Sequence, residues 1–157
     1  MEIIVDTREK PEHRWNFSRS EIVTNLVHKK LDTGDYSISG MEDIFCIERK
    51  RNVSEIATNI VEKRFKDVLQ RLGDYKYKYI LCEFDVSNIV DFPIGSGIPR
   101  SKQRFIKIKP PFIFSCLSKI QVDYGIPIIY CGNASNAEII AENIFKRIIQ
   151  ITTGDKA

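Results

Sequence analysis

The seven residues from Ile44 to Lys50 restrict the possible folds more than any other segment of this chain. Ile44-Phe45-Cys46-Ile47 is rich in β-branched and aromatic side chains, which suit a pleated surface and predict a strand, and it runs on unbroken into Glu48-Arg49-Lys50. Side chains two apart in a strand leave from one face, so Glu48 and Lys50 point together and Arg49 points away. Just upstream lies the acidic turn Leu31-Asp32-Thr33-Gly34-Asp35, and Tyr36 to Ser39, closed by Gly40, reads as a strand. If the two strands pair, Asp35 comes beside Glu48. Two carboxylates are the hard oxygen ligands that Mg2+ or Mn2+ takes, and the main-chain carbonyl of Arg49 is a candidate third oxygen. Such an ion polarises a phosphoryl oxygen and acidifies a water, while Lys50 orients that water or offsets charge on the phosphate. The same residues also suit a plainer role, because E-x-K triplets are common on solvated sheet edges and Asp is common in turns.

The rest of the chain alternates strand and helix patterns, which predicts an α/β layer architecture. Glu2 to Val5 is a short apolar run that ends at Asp6, as a buried central strand emerging at a site would. Ser20 is placed to cap a helix over residues 21–30, with Glu21 in its first turn and Ile22, Val23, Leu26 and Val27 buried. Asn52-Val53-Ser54-Glu55 resembles a capping box, and apolar residues recurring from Val53 to Leu72 predict one long helix stopped by Gly73. Tyr77 to Phe84 and Ile126 to Cys131 read as further strands. Pro111 opens a helix that ends at Gly125, and a last helix spans residues 134–151. That last helix carries Ile139, Ile140, Ile144, Phe145, Ile148, Ile149 and Ile151 on more than one stripe, which predicts either deep burial or a homodimer contact.

With 157 residues and 43% apolar content, the chain fits one globular domain. The net charge of +3 is small, but its distribution is uneven. From Arg100 through Lys102, Arg104, Lys107 and Lys109 to Lys119 there is no acid, and Phe105, Phe112 and Phe114 are interspersed. Cations and aromatics in one stretch suit a nucleic-acid backbone. Residues 85–110 have weak periodicity and read as a long DNA-contacting loop that orders on binding. The cysteines Cys46, Cys82, Cys116 and Cys131 are far apart in apolar surroundings, which argues against a zinc site or a disulfide framework. No apolar run is long enough for a membrane span, and an intracellular setting is expected: cytoplasm or nucleoid, or host cytoplasm for a viral gene.

Several segments resemble, in order, the XPF family of structure-selective nucleases. Val5-Asp6-Thr7-Arg8-Glu9-Lys10 is similar to the family's opening V-D-x-R-E, and Leu31 to Tyr36 to its L-D-x-G-D-Y. Gly34-Asp35 with Glu48-Arg49-Lys50 matches its GD…ERK signature, and Arg64-Phe65-Lys66-Asp67 a helical stretch. The family often places an acid after three positions beyond E-R-K; here Ser54 stands there and Glu55 follows. The resemblance implies a restriction-endonuclease-like fold, a central mixed β-sheet flanked by helices, over residues 1–151, with 152–157 as a tail. It implies a divalent-metal-dependent DNA endonuclease acting at branches, flaps or junctions. Asp35 and Glu48 hold the metal in that reading, and Asp6 stands behind them or serves a second ion. Lys50 positions the water, and Arg49 clamps phosphate or pairs with an acid such as Asp6 or Glu9. Arg8, Arg64, Arg100, Lys102, Arg104, Lys107 and Lys109 contact DNA. Nothing after the last helix resembles the tandem helix-hairpin-helix domain of many relatives, so a stand-alone nuclease domain is expected, drawing affinity from its basic loop, a dimer or a partner. Two alternatives stay open: an inactive DNA-binding scaffold subunit, and a restriction-type or junction-resolving enzyme on the same fold.

Overall fold

A six-stranded mixed sheet forms the middle of the computed structural model, which describes residues 1–154. Its strands are β1 (Glu2–Val5), β2 (Asn25–His28), β3 (Tyr36–Ile38), β4 (Phe45–Lys50), β5 (Tyr77–Cys82) and β6 (Ile128–Tyr130), in the spatial order β2-β1-β3-β4-β5-β6. β3 lies antiparallel to both β1 and β4, whereas β2 runs parallel to β1, and β4, β5 and β6 run parallel to one another. The helices are α1 (Val53–Asn59), α2 (Lys63–Gly73), α3 (Val86–Asp91), α4 (Arg100–Gln103), α5 (Pro110–Asp123) and α6 (Ala134–Thr153).

Strand alternation decides what each face holds. Cys46, Ile80 and Cys82 project toward one side, where they pack with Val53 and Ile56 of α1, Phe65, Leu69 and Leu72 of α2, and Ile113, Leu117 and Ile120 of α5. Phe45, Ile47 and Leu81 project to the other, against Trp15, Phe17 and the Ala137, Ala141, Phe145 and Ile148 stripe of α6. Phe145 is fully buried, with its ring 5.6 Å from that of Phe45 and 5.7 Å from that of Phe17. Burying one such side chain contributes about 1.5–3 kcal/mol. The parity that sends Phe45 and Ile47 toward α6 sends Arg49 there too, and the parity of Cys46 sends Glu48 and Lys50 to the α1/α2 side.

Four segments differ from the sequence expectation. Residues 21–30 form no helix. The Ser20 hydroxyl does accept N–H groups from Ile22 and Val23, as a helix cap would, but the chain then extends into β2 and pairs Glu2 with Asn25 and Val5 with His28. The free edge of β1 needed a ladder partner, and that outweighed a helical pattern of ten residues. The long helix predicted from Val53 to Leu72 is two, α1 and α2, separated at Ile60-Val61-Glu62. Asn52 caps α1 through the Glu55 amide at 2.8 Å, while the Glu55 carboxylate reaches past Asn52 to the Arg51 amide. Residues 85–110 are not a free loop: α3 and α4 lie within them, Ile89 and Phe92 are buried, and Ile98, Ile106 and Ile108 pack on the core. Residues 152 and 153, expected to belong to a tail, lie in α6, which continues through Thr153 and is closed by Gly154 with φ of 77°; residues 155–157 lie outside the described residues.

The apolar stripes of α6 are spent mostly inside the molecule. Ile140, Ile144 and Ile149 lean on the core, and Ile139 and Ile151 stay exposed. Cys46, Cys82, Cys116 and Cys131 are all free thiols, and among the described residues no helix is long and apolar enough to cross a membrane.

Candidate active site

Asp35 owes its position to the backbone on both sides of it. Its N–H donates to the Ile47 carbonyl and its carbonyl accepts from the Asp6 N–H, each at 2.8 Å, which holds it between β1 and β4 just before β3 begins. Gly34 makes this possible. Its φ is +82°, and a Cβ there would stand 1.9 Å from Cys46 Sγ, so only glycine fits the approach to β4. The Asp35 carboxylate then accepts the Arg49 amide at Oδ2, 2.7 Å away.

Asp35, Glu48 and Lys50 line one cleft of about 230 Å³ on the α1/α2 side of the sheet, with Asn59 and Phe65 above them and Arg8, Arg64 and Arg71 also lining it. Lys50 Nζ donates to Glu48 Oε1 at 2.8 Å and to Asn59 Oδ1 at 2.9 Å, and lies 4.8 Å from the Phe65 ring centroid. Burial opposes the Lys50 charge, yet Glu48 and Asp35 outweigh it and raise its pKa above the ordinary amine value, so Lys50 serves as a donor and a positive charge. Asp35 is pushed well above the usual carboxylate range by burial first, then by the charges of Glu48 and Glu9, which Lys50 and the Arg49 amide only partly counter.

These groups fit a divalent cation. Two carboxylates lining one cleft are the donor set a hard ion takes. Among the described residues no cluster of three or more His, Cys, Asp or Glu is placed to bind a metal. An ion held by Asp35 and Glu48 would draw its remaining ligands from water, main chain or substrate.

The other candidates fall into place around this cleft. Asp6 is fully buried beneath Arg8, and both its oxygens are engaged, Oδ1 by the Arg8 amide and Nε, Oδ2 by Arg8 Nη2 and the Leu31 amide. It does not line the cleft; it holds Arg8 there. Arg49 sits on the far face, where its guanidinium is 2% exposed, pairs with Glu9 and Glu83, donates to the His13 carbonyl and lies 5.8 Å from the Trp15 ring centroid. Its predicted acid partner is thus Glu9 rather than Asp6, and its side chain leaves the strand on the face opposite Glu48. Arg64, on α2, lines the cleft; Arg100, Lys102, Arg104, Lys107 and Lys109 do not, although all are exposed. Glu55 lies at the cleft, Oε1 3.9 Å from Lys50 Nζ, and the buried Ser54 hydroxyl beside it has no partner among the described residues.

Asn59, Arg71 and Glu83 escaped the sequence reading. Asn59 reaches Lys50 only because α1 ends there, Arg71 Nε donates to Thr33 Oγ1 at 3.0 Å across the cleft, and Glu83 accepts from both Arg49 and Trp15. The one visible hint was Asn59 itself, a poor helix former in an otherwise strong helical run.

A mixed sheet whose central strands bring a turn carboxylate, a strand carboxylate and a lysine into one helix-covered cleft defines an α/β protein of the restriction-endonuclease-like class. The family model described as the ERCC4 domain matches residues 5–142, and the chain belongs to that family. It is 24% identical over 146 residues to the 3'-flap repair endonuclease Xpf of Saccharolobus solfataricus, an alignment covering 92% of this chain and 54% of the relative. Among solved structures it resembles XPF from Aeropyrum pernix, with a TM-score of 0.63, 20% identity, and coverage of 98% of this chain and 65% of the other. XPF from Aeropyrum pernix in complex with DNA gives a TM-score of 0.60 at 20% identity, covering 95% and 65%. The chain therefore spans about half the length of the curated relative, and the fold it shares with these structures is that of an XPF nuclease domain.

Proposed function

We propose that this chain is a divalent-metal-dependent DNA endonuclease that hydrolyses phosphodiester bonds at branched, flap or junction structures. The observation that carries the reading is the convergence of Asp35, Glu48 and Lys50 in one cleft with three arginines, Arg8, Arg64 and Arg71. Asp35 and Glu48 would hold Mg2+ or Mn2+, which when bound polarises the scissile phosphoryl group and acidifies a water. Lys50, fixed between Glu48 and Asn59, presents an ammonium that orients the attacking water and offsets charge building on the phosphate. Arg64 and Arg8 neutralise the strand at the cleft. Arg100, Lys102, Arg104, Lys107 and Lys109 supply a second, separate contact to the backbone.

A catalytically inactive scaffold subunit is the weaker reading, because Asp35, Glu48 and Lys50 are all retained and line one cleft. A restriction-type or junction-resolving enzyme differs only in substrate. Labelled flap, fork, four-way and linear duplex DNA, incubated with and without Mg2+ or Mn2+ beside the Lys50→Ala variant, tests all three. Metal-dependent products that the variant lacks, strongest on branched DNA, are the expected result; no product on any substrate refutes the enzyme. A homodimer contact on the last helix would use what α6 leaves outside, Ile139 and Ile151, and sedimentation showing only monomer at high concentration removes it.

A further inference from the structure

A second hollow, of about 180 Å³, opens beside the cleft and shares Arg8 and Glu55 with its wall, so the two are contiguous. Lys10 and Arg51 line it and are exposed. Neither pairs with an acid among the described residues.

The acids at this hollow are already committed. Glu9 is ion-paired with Arg49, whose guanidinium is in turn held by Glu83, and Glu55 accepts the Arg51 amide and lies near Lys50. What the hollow offers a ligand is therefore two unpaired cations, with Arg8 at the boundary and its guanidinium braced by Asp6. Lys10 comes from the loop after β1 and Arg51 directly follows β4, so the sheet itself places them beside the Lys50 end of the cleft. Unpaired cations held in a concave site adjoining a phosphodiester-cleaving centre match an anion of the same polymer.

We propose that this hollow is a phosphate subsite, in which Lys10 and Arg51 take the phosphodiester next to the scissile one while Arg8 bridges the two positions. This rests on the nuclease reading. The subsite sets the path of the strand through the cleft, and its cations act on binding, since they stand apart from the groups around Asp35, Glu48 and Lys50.

The test is the salt dependence of binding to a fluorescent flap DNA, measured by anisotropy without a divalent ion so that cleavage does not interfere. Each neutralised phosphate contributes about 0.9 to the slope of log K against log salt on duplex and about 0.7 on single strands. The Lys10→Ala/Arg51→Ala double variant is expected to lower the slope by about 1, and the charge-keeping Lys10→Arg/Arg51→Lys variant to restore it. An unaltered slope in a folded double variant, with wild type binding DNA, overturns the subsite alone. Wild type that binds no DNA overturns the nuclease reading and the subsite with it.

Discussion

The main-chain amide of Arg49 donates to Asp35 Oδ2 at 2.7 Å while the Arg49 guanidinium is locked between Glu9 and Glu83 on the opposite face of the sheet. One residue thus ties a buried ion-pair network to the carboxylate that lines the cleft. Trp15 extends the network, donating Nε1 to Glu83 at 2.8 Å, stacking on Tyr36 at 4.4 Å and donating its main-chain N–H to the Tyr36 hydroxyl oxygen at 2.8 Å. The face that looks merely structural therefore fixes the strand end from which Glu48 and Lys50 project.

Glu83→Ala tests that anchor. It strips the acceptor from Arg49 and Trp15 where water cannot replace it, and breaking one partner of a buried pair costs about 3–5 kcal/mol. In a chain of this size each kcal/mol moves the midpoint by about 2–4 °C, so calorimetry should show a fall on the order of 10 °C. A midpoint unchanged within a degree or so would mean that the Arg49 cluster holds nothing in place.

Glu48→Gln keeps the shape of the cleft and removes a charge from the donor set. Single-turnover cleavage at saturating Mg2+ is expected to drop by about 10²–10³-fold, the scale of losing one electrostatic group at a reacting centre. Binding of Mn2+ by calorimetry should weaken in parallel. Retention of wild-type rate removes Glu48 from the mechanism.

Gly34→Ala is expected to be poorly folded and inactive. A methyl group there meets Cys46 Sγ at 1.9 Å and the Ile47 carbonyl at 3.0 Å, at a φ of +82°. Trimming the thiol with Cys46→Ala in the same chain should rescue little, because the carbonyl contact and the left-handed backbone, worth about 1–3 kcal/mol, both remain. Urea denaturation of the single and double variants separates these terms.

Asp6 predicts an acid limb in the stability curve. Burial by itself would raise its pKa, but hydrogen bonds from the Arg8 guanidinium and the Leu31 and Arg8 amides, together with the Arg8 charge, hold it below the ordinary value. A depressed folded pKa means stabilisation that is present above the unfolded value near 3.9 and is lost as pH falls through the lower folded value. Asp6→Asn should be less stable than wild type at pH 6 and lose less between pH 5 and pH 2.5 in urea titrations. Parallel curves across that range count against the assignment.

Which parts of this were legible in advance follows from the range of each interaction. Glu48 and Lys50 were readable because alternation in a strand is a property of the local backbone, and β4 runs from Phe45 to Lys50 as its composition implies. Asp35 was readable through Gly34, whose backbone freedom permits the turn. By contrast, Ser20 made the local turn that usually starts a helix, and only the unpaired edge of β1 turned the next residues into β2. The break between α1 and α2 was invisible for a similar reason: the apolar spacing continues through Ile60 and Val61, while the chain must turn at Asn59 to bring that side chain to Lys50. The fit of Ile98, Ile106 and Ile108 onto the core likewise had no periodic signature, so an ordered segment carrying α3 and α4 read as a loop.

By itself the order of residues determined which side chains leave a strand together, where glycine is needed and which segments are apolar enough to be buried, since these depend on bonds and neighbours along the chain. The tertiary structure alone decided that Arg49 is enclosed by Glu9 and Glu83, that Asp6 serves Arg8, and that Lys10 and Arg51 meet beside the cleft. Charges act through space, and the partner of a charge is whichever group the folded backbone brings within a few ångströms, however far apart the two lie in sequence.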